Sequence, residues 1–346
     1  MNRITAAVVA GMVAGSAHAH HSNDYHFDRN VGVTVSGTVK MFRFINPHSR
    51  LLVDVTGEDG SVVTWDCEMG GANVMTRRGW TQDVFQPGDE IVIQGIAARR
   101  HETECYFDSA EFADGRVVAL GDSFDADAPE AERRVYGVSA PAGAPNFSRV
   151  WHRTGGPTGG GPTGGGPRLG AVNVLAEVLN EAGRQALAGY DPVFDDPALS
   201  CSPVSIRRLW SNNDLHEIEQ TQDQVVIRHE WMDAVRVVHL GMEEHPANLE
   251  SRVLGHSIGR YEGSTLVIDT IGYEAGMWTQ HPGLPHSDRL HTVERLTLGE
   301  SGDSFELTIV AEDALYYTEP VTTTRSFRAS DQVPREYNCT HPELGH

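Results

Sequence analysis

The N-terminal half alternates apolar and polar residues over short runs that are broken by turn residues. Val33–Phe42, Arg50–Thr56 and Ser61–Asp66 are β-branched and partly alternating. A helical piece follows near Ala72–Arg78, and Glu90–Ile96 and Arg116–Leu120 come after a Pro87-Gly88-Asp89 turn. This period predicts strands, and three strands, a small helix and two strands is the order of a five-stranded OB-like barrel. The C-terminal half opens on Leu169–Ala188, where Val172, Leu175, Leu179 and Ala182 recur at helical spacing. After Cys201 the pattern turns to strands: Ile206–Trp210, Leu215–Gln220, Gln224–Glu230, Ala234–His239, Arg252–Arg260, Ser264–Thr270, Leu290–Leu298, Ser304–Ala311 and Val321–Ala329, with turns such as Glu262-Gly263 and Ser301-Gly302-Asp303 between them. Roughly eight to ten strands at hairpin spacing predict an up-and-down barrel or a curved meander, lipocalin-like and wide enough for one small ligand. The expected fold class is mainly β: an OB-like small barrel, then a larger antiparallel barrel with one short helix before it.

Two segments fall outside this pattern. Residues 155–167 read GGPTGGGPTGGGP, a flexible tract that joins neither a helix nor a central strand. At the start, Met1-Asn2-Arg3 is a short positive region, Ile4 to Val13 is apolar and small, and Ala17-His18-Ala19 fits a cleavage site. The apolar run is too short to span a bilayer. The division expected is a signal peptide at 1–19, an OB-like domain at 20–122, a loose Gly/Pro-rich linker at 123–167 and a β-barrel domain at 168–346. Export places the chain in the periplasm or outside the cell.

Export changes how the four cysteines, Cys67, Cys105, Cys201 and Cys339, are read. In an oxidising compartment an even number indicates disulfides, with three pairings open. Cys67–Cys105 with Cys201–Cys339 keeps each bridge within one domain. The net charge of −21, with Lys40 the one lysine in 346 residues, repels phosphate backbones and anionic membrane surfaces, so nucleic acid is not an expected partner. No phosphate loop, G-x-S-x-G or G-x-G-x-x-G followed by a suitable helix occurs, and no nucleotide cofactor is expected. A small-molecule ligand or substrate is.

Candidate chemistry lies in the 17 histidines. Cleavage after Ala19 would give His20 a free α-amine beside its imidazole. With a third nitrogen from His21 or His48, this set suits copper or another divalent metal; the competing reading is a solvated terminus. In the C-terminal half, a hairpin at Glu262-Gly263 brings His256 and Arg260 towards Asp269, with His256, Ile258 and Arg260 on one strand face and Thr265, Val267 and Asp269 sharing a face of the next. The loop Ile271–Asp288, containing Trp278, reads as a cover over a barrel mouth. His291 and Glu294, three apart on a strand, point to opposite faces. His256, Asp269, His286 and His291 are the candidates for acid–base or metal-assisted work, including a metal site from His256, His286 and His291. Arg260, Arg236 and Trp278 are the candidates for substrate binding, a guanidinium fork suiting an anionic group. The competing reading is a polar network that stabilises the barrel end.

Two groups of motifs carry a resemblance. His20-His21-Ser22, Gly37-Thr38-Val39, Asn46-Pro47-His48, Trp65, Gly79-Trp80 and Pro87-Gly88-Asp89 span the N-terminal domain. Gly255-His256-Ser257-Ile258-Gly259, Leu266-Val267-Ile268-Asp269-Thr270, His286-Ser287 and Val293-Glu294-Arg295 span the C-terminal one. Together the chain resembles an uncharacterised family of exported bacterial proteins, with Tyr261 where the second segment usually has Trp. The resemblance implies export and architecture, and no activity. Two functions remain: a periplasmic enzyme acting on a small organic substrate in the C-terminal barrel, or a non-catalytic copper- or ligand-binding protein using His20, His21 and His48.

Overall fold

A computed structural model of the chain describes residues 26–124, 140–154, 177–191, 195–279 and 283–340. The strand-forming runs of the first half become β1 (Phe27–Arg43), β2 (Arg50–Thr56), β3 (Val62–Glu68), β4 (Glu90–Ala98), β5 (Glu104–Phe112) and β6 (Val117–Ala119), with helix α1 (Ala72–Thr76) between β3 and β4. The sheet order is β3-β2-β1-β4-β5-β6. A parallel pairing of β3 with β5, Cys67 opposite Cys105, closes five strands into an OB-like barrel around Leu51, Val53, Trp80, Phe85, Ile93 and Phe107. One strand corrects the sequence reading. The closing strand is β5, and Val117–Ala119 is a short addition at its edge. In β5, Cys105, Phe107, Ala110 and Phe112 are buried, but the register shifts opposite Gln94 and Gly95. The extra residue there breaks the alternation that would have marked the strand.

The second half folds as β7 (Arg149–Thr154), helix α2 (Glu181–Ala188), helix α3 (Ile206–Ser211), β8 (His216–Gln220), β9 (Gln224–His229), β10 (Ala234–Leu240), β11 (His256–Glu262), β12 (Thr265–Ile271), β13 (Gly276–Thr279), β14 (Leu284–His286), β15 (His291–Leu298), β16 (Ser304–Glu312) and β17 (Val321–Ser330). Nine strands form a closed barrel in the order β10-β11-β12-β15-β16-β17-β7-β8-β9. All pairings are antiparallel except β10 with β11, whose parallel register requires the crossover 241–255. Aromatic and aliphatic side chains fill the interior, among them Trp151, Trp210, Phe305 and Phe327.

Three further expectations change. Ile206–Trp210 is helical, not a strand: Ser205 caps it by accepting from Arg208 N, and Ile206, Leu209 and Trp210 are buried at the i, i+3, i+4 spacing of a helix face. Arg149–Thr154, within the stretch expected as a linker, is a barrel strand paired with β17 and β8; the barrel therefore begins upstream of the glycine tract. The loop Ile271–Asp288 contains the two-stranded β13–β14 ribbon. Of Leu169–Ala188, the described helix is Glu181–Ala188, capped by Asn180. The tract at 155–167, the leader, His20 and His21 lie outside the described residues.

Both disulfides join the pairs that keep each bridge within one domain, Cys67–Cys105 and Cys201–Cys339. Such bridges belong to an oxidising compartment, and no helix among the described residues is long and apolar enough to cross a membrane. The two barrels meet at a buried polar latch. Glu230 accepts from Asn73 Nδ2 at 2.8 Å, from Leu215 N at 3.1 Å and from Arg77, the residue that follows α1. Asn46 of the Asn-Pro-His motif donates to Tyr337 O at 2.6 Å, and Thr340 N donates back to Asn46 O at 2.8 Å.

Candidate functional site

Alternation sorts the polar residues of the barrel wall into two sets. On β11, Ser257 and Gly259 are buried while His256 and Arg260 face out; on β15, Thr292, Glu294 and Leu296 are buried while His291 is half-exposed. Ile258 pairs with Asp269, and His291 with Glu312. Adjacent strands thus bring one polar residue each to the outer wall at the same end of the barrel: His256, Asp269, His291 and Glu312. Gly255 fixes where β11 starts. Its φ is +63°, and a Cβ there would stand 2.7 Å from Ile271 O.

Asp269 organises this outer cluster. Its Oδ1 lies 3.0 Å from His245 Nε2 and its Oδ2 lies 3.0 Å from His291 Nε2. His245, from the crossover 241–255, also places its Nδ1 2.8 Å from His256 Nδ1. These contacts assign the tautomers. A carboxylate only accepts, so both Nε2 atoms donate to it. Neutral His245 then accepts at Nδ1, so His256 donates from Nδ1 and keeps a lone pair on Nε2. The ring of His239 stacks on that of His256 at 5.2 Å between centroids, and His291 Nδ1 lies 3.7 Å from Glu312.

The surroundings push the histidines apart. His256 is held below the ordinary imidazole value by burial and by the neighbouring His245 and His239. His291 is raised by its hydrogen bond to Asp269, with Glu312 adding to the effect. Asp269 is held below the usual carboxylate range by its bonds to His291 and then His245. Two imidazoles are thus displaced in opposite directions around one carboxylate, an asymmetry of the kind that acid–base sites use.

The other sequence candidates lie elsewhere. His286 is buried, its Nδ1 3.1 Å from Ser287 O and its ring beside Tyr273 and Trp278; it shares no hydrogen bond or ion pair with the cluster, so the metal set His256, His286 and His291 does not assemble. Arg260 pairs with Glu262 on the outer surface at 2.7 Å. Arg236 and Glu294 form an ion pair inside the barrel, where Trp210 Nε1 also donates to Glu294 at 2.8 Å. Trp278 is fully buried and packs in the core. None of these three lines a common site with His256. His48 lies on the other barrel, 3.3 Å from Glu68. Among the described residues no group of three or more His, Cys, Asp or Glu side chains is placed to hold a metal ion.

Sequence reasoning missed His245, the residue that joins Asp269 to His256. It lies on an irregular crossover, and its one sequence signal is proximity to the histidine-rich strands that flank it. A cleft of ≈ 670 Å³ opens elsewhere on the outer wall, between β7–β9 and residues 329–336, lined in part by Glu217, Arg228 and Asp233. His229 and Glu230 line it as well, and both are engaged elsewhere: His229 meets His216 at 2.9 Å, and Glu230 belongs to the latch between the barrels.

Fold and site together define a disulfide-bridged, two-barrel β protein with a histidine–aspartate cluster on the second barrel. A family model described as a family of unknown function (DUF6152) matches residues 8–106, that is, the first barrel as far as the start of β5 and the residues before it. No curated protein matches the chain. Among solved structures, a mutant of the fluorescent protein UnaG is similar at 13% identity, over 54% of this chain and 97% of that one, with a TM-score of 0.26.

Proposed function

We propose that the chain is an exported enzyme that acts on a small organic substrate by histidine acid–base chemistry at the outer rim of its C-terminal barrel. The observation that carries this reading is Asp269, shared at 3.0 Å by His245 and His291. His256 takes a proton from water or substrate through its Nε2 lone pair. His291 returns a proton to the leaving oxygen. Asp269 and His245 are positioning residues that fix the tautomers on either side. This site is on the outer wall, and the filled barrel interior is its scaffold.

The test is turnover by the full exported chain of activated esters of carboxylic and phosphoric acids, from about pH 5 to about pH 9. The rate should rise as His256 loses its proton, below the ordinary imidazole value, and fall as His291 loses its proton, above it. His256→Ala should lower kcat by about 10²-fold or more, and His291→Ala should remove the alkaline limb. Turnover that is unchanged in both variants contradicts the proposal.

A second reading, metal binding at the first barrel, has one observation in its favour. His26 is held below the ordinary imidazole value by burial, with Glu68 opposing and His48 adding to the shift. His26 is thus within electrostatic reach of the His48–Glu68 pair near the start of the described chain. Copper bound stoichiometrically by the cleaved protein and lost in His48→Ala, measured by elemental analysis, would establish it; equal copper in the variant would refute it.

A further inference from the structure

Apart from the Arg236–Glu294 pair, the inner face of the second barrel carries positive charge that no carboxylate among the described residues answers. Arg153 of β7 pairs with Phe327 of β17, so Arg325, two residues from Phe327, is its diagonal neighbour on the same face. Trp151 pairs with His216, which makes His216 a diagonal neighbour of Arg153 on the other side. Arg207 reaches this place from α3, and Arg325 is the charged group that acts on it most. The Nε atoms of Arg153, Arg207 and Arg325 are all buried without a partner, as is Thr323 Oγ1 two residues along β17.

The contacts these arginines do make are to neutral groups. Arg153 Nη2 donates to Asn213 Oδ1 at 2.7 Å, and Arg325 Nη1 donates to Thr324 O at 2.8 Å. No ion pair with Asp or Glu involves any of the three among the described residues. The chain that continues from Thr154 has no Asp or Glu before Glu177. His216 is fully buried; its Nδ1 meets His229 Nδ1 at 2.9 Å, and its Nε2 has no partner.

Three guanidinium groups gathered on one half-buried stretch of wall repel one another, and each loses part of its hydration. In a chain with 48 acidic and 27 basic residues, carboxylates to neutralise them are plentiful, yet none among the described residues is placed here. We propose that Arg153, Arg207 and Arg325, with Thr323 and His216 beside them, form an oxyanion-binding site that takes the carboxylate or phosphate group of a small ligand where α3 meets the barrel wall. Guanidinium forks suit either group in bidentate fashion. His216 contributes when its neutral ring accepts from His229 at Nδ1 and donates from Nε2. This inference does not rest on the acid–base reading, since it uses a different face of the wall and different residues.

The test is binding of two probes, inorganic phosphate and decanoate, by the full chain. The readouts are Tm and tryptophan fluorescence, against chloride at matched ionic strength. A saturable rise in Tm, with a fluorescence change from nearby Trp210, is expected for at least one probe. A response to phosphate alone assigns a tetrahedral oxyanion, and a response to decanoate alone assigns the carboxylate of an organic ligand. Arg207→Gln and Arg325→Gln should each weaken binding by about tenfold or more. Without the anion, their Tm should hold or rise, because a like-charge contact has been removed. Arg325→Lys keeps the charge without the fork, and should bind more weakly than the parent even if a glutamine variant fails to fold. No saturable response to either probe, or binding unchanged in the variants, overturns the proposal.

Discussion

Single side chains on the barrel wall are assigned by which way alternation turns them. Glu294 and His291, three apart on β15, take opposite fates: Glu294 is fully buried and binds Arg236 and Trp210, while His291 meets Asp269 outside. The period-two pattern and the Glu262-Gly263 hairpin made His256 and Asp269 legible as neighbours; His291 read instead as a companion of His286, because the pairing of β12 with β15 that brings it to Asp269 spans a long loop. The same rule left Arg260 outside, where Glu262 neutralises it. His245 was not legible, because a crossover loop has no period that aims a side chain. The buried pair allows a sharp prediction. Glu294→Leu strands the Arg236 charge in the core and should cost about 3–5 kcal/mol, whereas Glu294→Gln retains an acceptor for Trp210 and should cost less. Urea unfolding of the two variants measures the difference.

At the scale of elements, propensity failed where a helix was shorter than its own signal. Ile206–Trp210 offers five residues, mostly large and apolar, that fit a strand as well as a helix; Ser205 three positions before Arg208 is what decides, through its cap. That serine does two jobs, since its Oγ also donates to Trp278 O at 2.9 Å and ties α3 to β13. Ser205→Ala should therefore destabilise the chain by about 1–2 kcal/mol, read as a lower midpoint in denaturant. An unchanged midpoint would mean that packing of Trp210 alone holds the helix. The strands β5 and β7 were hidden for different reasons: a bulge broke the alternation of the first, and the second is six residues beside a glycine tract.

For the molecule as a whole, the joint between the barrels has a pH dependence that follows from its burial. Asp214 lies beside Arg77 and Glu230 at the latch, and burial pushes its carboxyl up from 3.8 to about 7, with Arg77 opposing. Between those values the unfolded chain has already lost the proton that the folded chain keeps. Stability therefore falls as pH rises through this window, and the penalty is constant above it. Asp214→Asn should raise Tm more above pH 7 than below pH 4; a gain that is the same at both ends would place the protonated carboxyl elsewhere. These contacts were not legible in the sequence, because Asn73 and Glu230, or Asn46 and Tyr337, share no local period across their separations of 157 and 291 residues. What the sequence did carry at this scale was local: two barrels in the right order, and cysteine pairs that stay within them.

The acid–base account stands on opposite displacements of two imidazoles by one carboxylate. NMR titration of the histidine ring protons in the full chain and in Asp269→Asn measures that directly. The account predicts that His256 titrates below and His291 above the ordinary value of 6.5, and that Asp269→Asn brings His291 back down towards it. Two histidines that titrate together in the parent chain, or a His291 that does not move in the variant, would contradict it.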